Sequence, residues 1–218
     1  MKKIALALIV LALVCTGLFA NDYTSSKGTN DSEFDPNKTV EFVQETTSKN
    51  RIVTKGTVDK SLYSQPIFIT SFGQSTEGAM LETVMKRCKL NYTYSPTATA
   101  DKISGVKTLV IAVGASTKGL GAAGISIDDE LARAKAIMDV VKKENITVIC
   151  VHIGGSARRG QISDVLTDMV LEESSYLVLK EDANFDYKFT KYASEHNLPV
   201  SLIYGTKDCI DVFKSLYN

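Results

Sequence analysis

Two adjacent arginines lie on a glycine-rich turn in the segment "HIGGSARRGQISD", residues 152–164. Arg158 and Arg159 each carry a planar guanidinium that can bind a carboxylate or a phosphate through two hydrogen bonds. The turn holds no acid before Asp164, and the free amides of a helix that starts there would also favour an anion. The segment therefore predicts that at least one of the two arginines contacts an anion. The alternative is that both are solvated or pair with acids at the surface.

Two further segments share this composition and follow apolar runs, "TSFGQSTEGA" at 70–79 and "GASTKGLGAAGIS" at 114–126. Glycine lets the backbone approach a ligand closely, and Lys118 adds a third candidate cation. Neither segment matches a known phosphate or dinucleotide fingerprint. We expect the three loops to hold a small anionic molecule, and no cofactor and no metal. The candidate ligand-binding residues are Ser71, Gly73, Gln74, Ser75, Gly114, Ser116, Thr117, Lys118, Gly119, Gly154, Gly155, Ser156, Arg158 and Arg159.

Histidine is scarce, which limits catalytic chemistry. His152 lies in an apolar run two residues before the third loop, where it is either packed and hydrogen-bonded in the core or a base that faces the pocket. As a base it would need one of three loop serines, Ser71, Ser116 or Ser156, as its nucleophile. The sequence has no G-x-S-x-G elbow, and His196 fits the end of a helix. The catalytic residues of any reaction remain unknown.

Short acidic and apolar patterns predict helices between the loops. Ser126 precedes Asp129 by three residues, as in a capping box, and we assign the acids Asp128, Asp129 and Glu130 to the first turn of that helix. Other segments with helical periodicity are "EGAMLETVMKRCKL", "GQISDVLTDMVLEE", "FDYKFTKYASEHN" and "KDCIDVFKSLYN".

Strands are predicted by short β-branched runs with little alternation: "PIFIT", "KTLVIAVG", "TVICVHIG", "SYLVLK" and "PVSLIYG", with a weaker "NYTYS". Strands and helices alternate from residue 65 to 218, which predicts a single α/β domain. We expect a three-layer α/β/α sandwich around a mostly parallel sheet of five to six strands, of the Rossmann or flavodoxin-like kind. Ligands of such sheets bind at the carboxyl ends of the strands, where the three loops would lie.

The first 20 residues predict a secretory signal: a basic start, an apolar run and small residues up to Ala20. Two alternatives remain open, lipidation at Cys15 and an uncleaved anchor. Residues 21–64 are polar and predict a flexible linker, with a short strand or helical turn near "TVEFVQ". We therefore expect an exported protein that is periplasmic, membrane-anchored or secreted, with a possible membrane tether through its N-terminus.

Composition narrows the partners and the redox chemistry. The chain has 25 basic and 25 acidic residues, and removing Lys2 and Lys3 with the signal leaves 23 basic residues. Such a balance gives no field that would recruit nucleic acid. Cys88, Cys150 and Cys209 are widely spaced, so we expect no disulfide framework, although one bridge among them stays open. Cys150 lies in an apolar run and is expected in the core.

The segments "GASTKGLGAAGISIDDE" and "HIGGSARRGQISD" resemble the signature segments of DUF6305, an uncharacterised family of bacterial proteins. The resemblance covers about residues 65–218 and excludes the linker. It implies an exported Rossmann-like domain of unknown function, and it supplies no catalytic residues. It also gives a reason to group Lys118, Arg158 and Arg159 with the glycines.

The residues favour an extracytoplasmic domain that binds a small anionic metabolite at the carboxyl edge of its sheet. The first alternative is a hydrolase or transferase that acts on a small phosphorylated or acylated substrate. The second is a module that docks a partner in the cell envelope.

Overall fold

Seven strands form one sheet in a computed structural model, which describes residues 46–217 of the chain. The strands are β1 (Ile52–Lys55), β2 (Ile67–Phe72), β3 (Tyr92–Tyr94), β4 (Thr108–Val113), β5 (Thr147–His152), β6 (Ser174–Lys180) and β7 (Val200–Ile203). Their order across the sheet is β1-β7-β6-β5-β4-β2-β3. All neighbours are parallel except β1, which runs antiparallel to β7. The predicted α/β class with a mostly parallel sheet is confirmed.

α-Helices connect most of the strands, but only short 3-10 turns lie between β1 and β2 and between β3 and β4. Within the described residues the α-helices are α1 (Glu77–Cys88), α2 (Thr117–Ala123), α3 (Ile127–Glu144), α4 (Gln161–Leu171), α5 (Lys188–Glu195) and α6 (Cys209–Tyr217). The helix α2 lies in a segment that the sequence predicted as a loop. Two of its seven residues are glycines, which have low helix propensity, but Ser116 caps its start and Gly124 ends it at φ 67°.

The chain reverses its direction across the sheet between β2 and β4. It passes from β2 through α1 to β3 at one edge, and then returns to the other side of β2 to form β4. The last residues of these two strands, Phe72 and Val113, lie opposite each other. Ligands of open α/β sheets bind at the carboxyl ends of the strands beside such a reversal.

Two clusters of buried side chains hold the helices against the sheet. One cluster joins Ile111 of β4 to residues of α3, α4 and α5, and the other joins Val110 of the same strand to residues of α1 and α6. All six residues of β4 are buried. A strand that is covered by apolar contacts on both faces explains the continuous apolar runs in the sequence.

The sheet is wider than the predicted five or six strands, because β1 comes from the segment predicted as a polar linker. Val53 is buried there, and the guanidinium of Arg51 donates two hydrogen bonds to Asp208, at 2.8 and 3.0 Å. A short edge strand needs only one buried face, so its composition stays polar. The segment "TVEFVQ" and the proposed leader lie outside the described residues.

Several local predictions are confirmed. The side chain of Ser126 accepts the N–H of Asp129 at 3.1 Å at the start of α3, and His196 ends α5. Cys150 is fully buried in the core. Cys88, Cys150 and Cys209 are all free thiols, so no disulfide joins them.

All described residues belong to one compact unit. Among residues 46–217, no helix has the length and apolar character needed to cross a membrane.

Candidate functional site

The loops after β2 and β4 close on each other. The N–H of Ser116 donates to the carbonyl of Gly73 at 2.8 Å, and the N–H of Gly114 donates to that of Phe72 at 2.9 Å. Gly73 has φ 94°, and a Cβ at this position would lie 2.5 Å from the carbonyl oxygen of Gly114. The contact between the two loops therefore requires a glycine at position 73.

Gln74, Gly119 and the side chain of Ser116, all predicted as ligand-binding residues, form further contacts within the protein. A Cβ on Gly119 would overlap the carbonyl oxygen of Gln74, so α2 packs directly on the first loop. The side chain of Ser116 caps α2 by accepting the N–H of Gly119 at 3.1 Å. The amide of Gln74 donates to the carbonyl of Pro96 at 3.0 Å. These groups are used within the protein.

A buried ion pair holds the first loop to α3. Glu130 is 1% exposed and accepts the N–H of Gly73 at 2.6 Å, while the Nε of Arg133 donates to Glu130 at 2.8 Å. Arg133 also donates to the carbonyl of Ala98 at 2.8 Å. The sequence predicted only a helix-start role for Glu130. The one signal for the pair was its i,i+3 spacing on a helix.

A second buried carboxylate lies across the ends of β4 and β5. Glu77, in the first turn of α1, reaches between Gly114 and Gly154. A Cβ on Gly154 would overlap the Oε1 of Glu77, and a Cβ on Gly114 would lie 3.4 Å from it and 3.0 Å from the Oγ of Ser75. We call Ser75, Glu77, Gly114, Gly154 and Arg158 the edge basin. The two glycines leave the room that the carboxylate occupies.

Arg158 covers this carboxylate. Its Nε lies 3.4 Å from the Oε1 of Glu77, and its side chain is 33% exposed where that of Glu77 is 2% exposed. The Oε2 of Glu77 and the Oγ of Ser75 are buried without a hydrogen-bond partner. Since buried polar atoms in proteins are nearly always partnered, the basin has hydrogen-bonding capacity that the chain does not fill.

The surroundings of α1 add to this capacity. The Oγ of Ser71 is also buried without a partner, and its Cβ lies 3.4 Å from the position that a Cβ on Gly78 would take. Thr76, which precedes α1, gives its first turn no side-chain cap. The first amides of a helix have no partner within the helix. Glu77 itself was missed by the sequence, because an acid in the first turn of a helix is expected from the helix dipole alone.

Arg159 has a different role from its neighbour. Its side chain is 6% exposed and pairs with Asp164 and Asp186, each at 2.8 Å. The guanidinium also lies 4.6 Å from the ring centroid of Phe189. Arg159 therefore links the third loop to α4 and to the segment after β6, and Asp164 and Asp186 neutralise its charge.

The pKa values of these acids reflect the pairing. Burial alone would raise the pKa of Asp164 and of Asp186, but the hydrogen bonds and positive charge of Arg159 outweigh it and hold both below the ordinary value. The same two carboxylates outweigh the desolvation of Arg159 and raise its pKa. The charged network is therefore stabilised as a unit.

The other predicted residues lie at the surface or support the loops. Thr117 and Lys118 are exposed on α2, and Lys118 forms no ion pair with any residue in 46–217. Ser156 is exposed at the start of a short 3-10 turn. Gly155 has φ 70°, and a Cβ there would overlap the carboxylate of Asp182.

His152 is fully buried, and neither ring nitrogen has a hydrogen-bond partner. Its ring packs against Phe189 of α5 with centroids 5.5 Å apart. Burial, with a further contribution from the charge of Arg159, lowers the pKa of His152. The prediction of a core position is confirmed, but the expected hydrogen bond is absent. The histidine also forms no hydrogen bond to Ser71, Ser116 or Ser156, so the pair that the enzyme alternative requires is not formed.

Two clefts lie away from the predicted residues. One, of about 460 Å³, is lined by Tyr192 and His196 with the start of β6, and the other, of about 230 Å³, lies between α1 and α6. No group of three or more His, Cys, Asp or Glu side chains within 46–217 could hold a metal ion.

Comparison with known proteins identifies one family. The model of DUF6305, a domain of unknown function, matches residues 64–217. No curated protein and no solved structure matches the chain. The match confirms the resemblance drawn from the second and third loops.

Proposed function

Because the chain belongs to the DUF6305 family, whose description assigns no function, we propose one from the edge basin: the domain binds a small anionic molecule at the carboxyl edge of its sheet. One observation carries the proposal. The partly exposed guanidinium of Arg158 lies 3.4 Å from the buried carboxylate of Glu77, whose Oε2 has no partner, and the unpartnered Oγ of Ser75 lies beside the same glycine, Gly114.

Arg158 has donors to offer an anion. Its only contact with a described carboxylate is the 3.4 Å approach of its Nε to Glu77, and its two Nη groups form no hydrogen bond within residues 46–217. A guanidinium binds a carboxylate or phosphate most strongly through two parallel hydrogen bonds. Arg159 cannot do this without giving up Asp164 and Asp186. The ligand-binding arginine of the pair is therefore Arg158.

The neighbouring groups support the same ligand. The hydroxyl of Ser75 can both donate and accept a hydrogen bond, and it lies beside the carboxylate of Glu77 at Gly114. Lys118, exposed and without an ion pair in the described region, adds positive charge on α2 that attracts anions.

Architecture and compartment belong to the proposal as well. We assign the domain a three-layer α/β/α arrangement of the flavodoxin-like kind, supported by the division of its helices between two core clusters. We place it outside the cytoplasm, tethered or free, on the strength of the leader-like first 20 residues.

A thermal-shift screen of carboxylates and phosphates tests the proposal. A ligand present at about ten times its Kd stabilises the folded protein by about 1.4 kcal/mol, which raises the Tm of a domain of this size by about 3 to 6 °C. We expect at least one anion to do so in the wild type. Arg158→Gln should abolish the shift.

Arg87 provides the matched control, because it is an exposed arginine in the last turn of α1, away from the basin. Arg87→Gln should leave the shift unchanged. If no anion stabilises the wild type, or if Arg158→Gln and Arg87→Gln respond alike, the proposed function is wrong.

A further inference from the structure

Glu77 constrains which anions the edge basin can bind, an argument that rests on the proposed function. Its side chain is 2% exposed, and its only ion pair within residues 46–217 is with Arg158. An anion that draws the guanidinium to itself weakens this pair. A carboxylate left buried without a partner is strongly destabilising.

The Oε2 of Glu77 already lacks a hydrogen-bond partner when Arg158 is in place. As a carboxylate oxygen it can only accept a hydrogen bond, so any group that meets it must donate. Ser75 does not fill this position, since its own Oγ is also unpartnered. The missing donor must therefore come from the ligand or from water.

Charge favours an ammonium over a neutral donor. An anion without a hydrogen-bond donor would bring a second negative charge next to the buried carboxylate of Glu77. Two negative charges in contact repel each other. A ligand that carries both charges satisfies Arg158 and Glu77 together and leaves the net charge of the basin unchanged.

The two protein groups lie side by side, with the Nε of Arg158 3.4 Å from the Oε1 of Glu77. The complementary groups of the ligand must lie equally close, within one or two bonds of a shared carbon. We propose that the ligand of the edge basin is an amino acid or a compound with the same head group, whose carboxylate binds Arg158 and whose ammonium binds Glu77 and Ser75.

Four small probes that differ in one group test this proposal on the full chain: alanine, lactate, propionate and ethylamine. Isothermal titration should give alanine a Kd about tenfold or more below that of propionate, the effect of one hydrogen bond to a charged group. Lactate, with a neutral donor, should lie between them. Ethylamine lacks the carboxylate and should bind more weakly than alanine.

Glu77→Gln keeps the shape of the side chain and removes its charge. In this variant alanine should lose its advantage, and propionate should bind at least as well as it does to the wild type. Ser75→Ala, which removes the other unpartnered acceptor, should weaken alanine more than propionate and remains informative if Glu77→Gln does not fold.

The outcomes separate the two proposals. If propionate and alanine bind equally well in the wild type, the amino-acid head group is wrong while the anion site stands. If alanine binds better but Glu77→Gln keeps the full difference, Glu77 is not its partner and the inference fails. If none of the four probes binds, the inference is overturned, and a positive anion screen would still support the proposed function.

Discussion

Glycine at the carboxyl edge of this sheet makes room for the protein's own groups. Gly154 gives space to the carboxylate of Glu77, Gly119 to a backbone carbonyl, and Gly155 to the carboxylate of Asp182. Composition alone predicted that these glycines approach a ligand. The structure shows another reason for glycine at these positions: a Cβ would collide with a neighbouring loop or side chain. These close contacts shape the basin.

Gly154→Ala should destabilise the protein by about 1 to 3 kcal/mol, as overpacking of a filled site does. The added Cβ would overlap both Glu77 and the side chain of Arg158. Gly121→Ala is the matched control, since nothing lies within 4 Å of a Cβ at that position in α2. It should stabilise by about 0.5 to 1 kcal/mol. Urea unfolding measures both changes.

A double-mutant cycle shows whether the overlap with Glu77 is the cause. In the background Glu77→Ala, the cost of Gly154→Ala should fall, because one of the two colliding side chains is gone. If the cost of Gly154→Ala in free energy of unfolding is unchanged, the overlap with Glu77 does not cause the destabilisation.

Residue types alone do not distinguish the roles of the residues in the candidate site. Arg158 and Arg159 are indistinguishable in the sequence, and only the fold brings Asp164 and Asp186 to one of them. Glu77 was hidden for a similar reason. Its partners Gly114 and Gly154 are more than 35 residues away in the chain, and no local pattern connects them.

At the scale of elements, the edge strand β1 completes the sheet. It covers β7 in antiparallel register, with Val53 buried and Arg51 bound to Asp208, the residue before α6. Tyr63, between β1 and β2, is also buried and donates to the carbonyl of Ser175 at 3.2 Å. Residues of the predicted linker therefore contribute to the fold.

A chain shortened to residues 65–218 should be less stable than one shortened to residues 46–218. The shorter chain lacks the buried side chains of Val53 and Tyr63 and the Arg51–Asp208 pair, which are worth at least about 3 kcal/mol together, so its Tm should be lower by at least about 6 °C. It also exposes the edge of β7 to pairing with other copies. Equal thermal midpoints for the two chains would show that β1 contributes nothing to stability.

The sequence predicted the buried parallel strands and missed β1, for one physical reason. Strands packed on both faces are mainly apolar, as β4 and β5 are, and such runs are visible without context. Of the four residues of β1, only Val53 is buried. A pattern so short does not stand out from a polar segment.

At the scale of the molecule, topology determines where a ligand can bind. The reversal between β2 and β4 places the first two glycine-rich loops side by side, and β5 adds the third. This edge was predictable, since it follows from the order of strands and helices. The degree to which the loops close on each other was not, because it depends on the Glu130–Arg133 pair and on backbone contacts between distant residues.

A crystal structure of the protein with its most stabilising anion tests the central claim most directly. We expect the anion within hydrogen-bonding distance of Arg158 and Ser75, with Arg159 still bound to Asp164 and Asp186. A ligand found instead in the cleft lined by Tyr192 and His196, with the contact between Arg158 and Glu77 intact, would contradict the account.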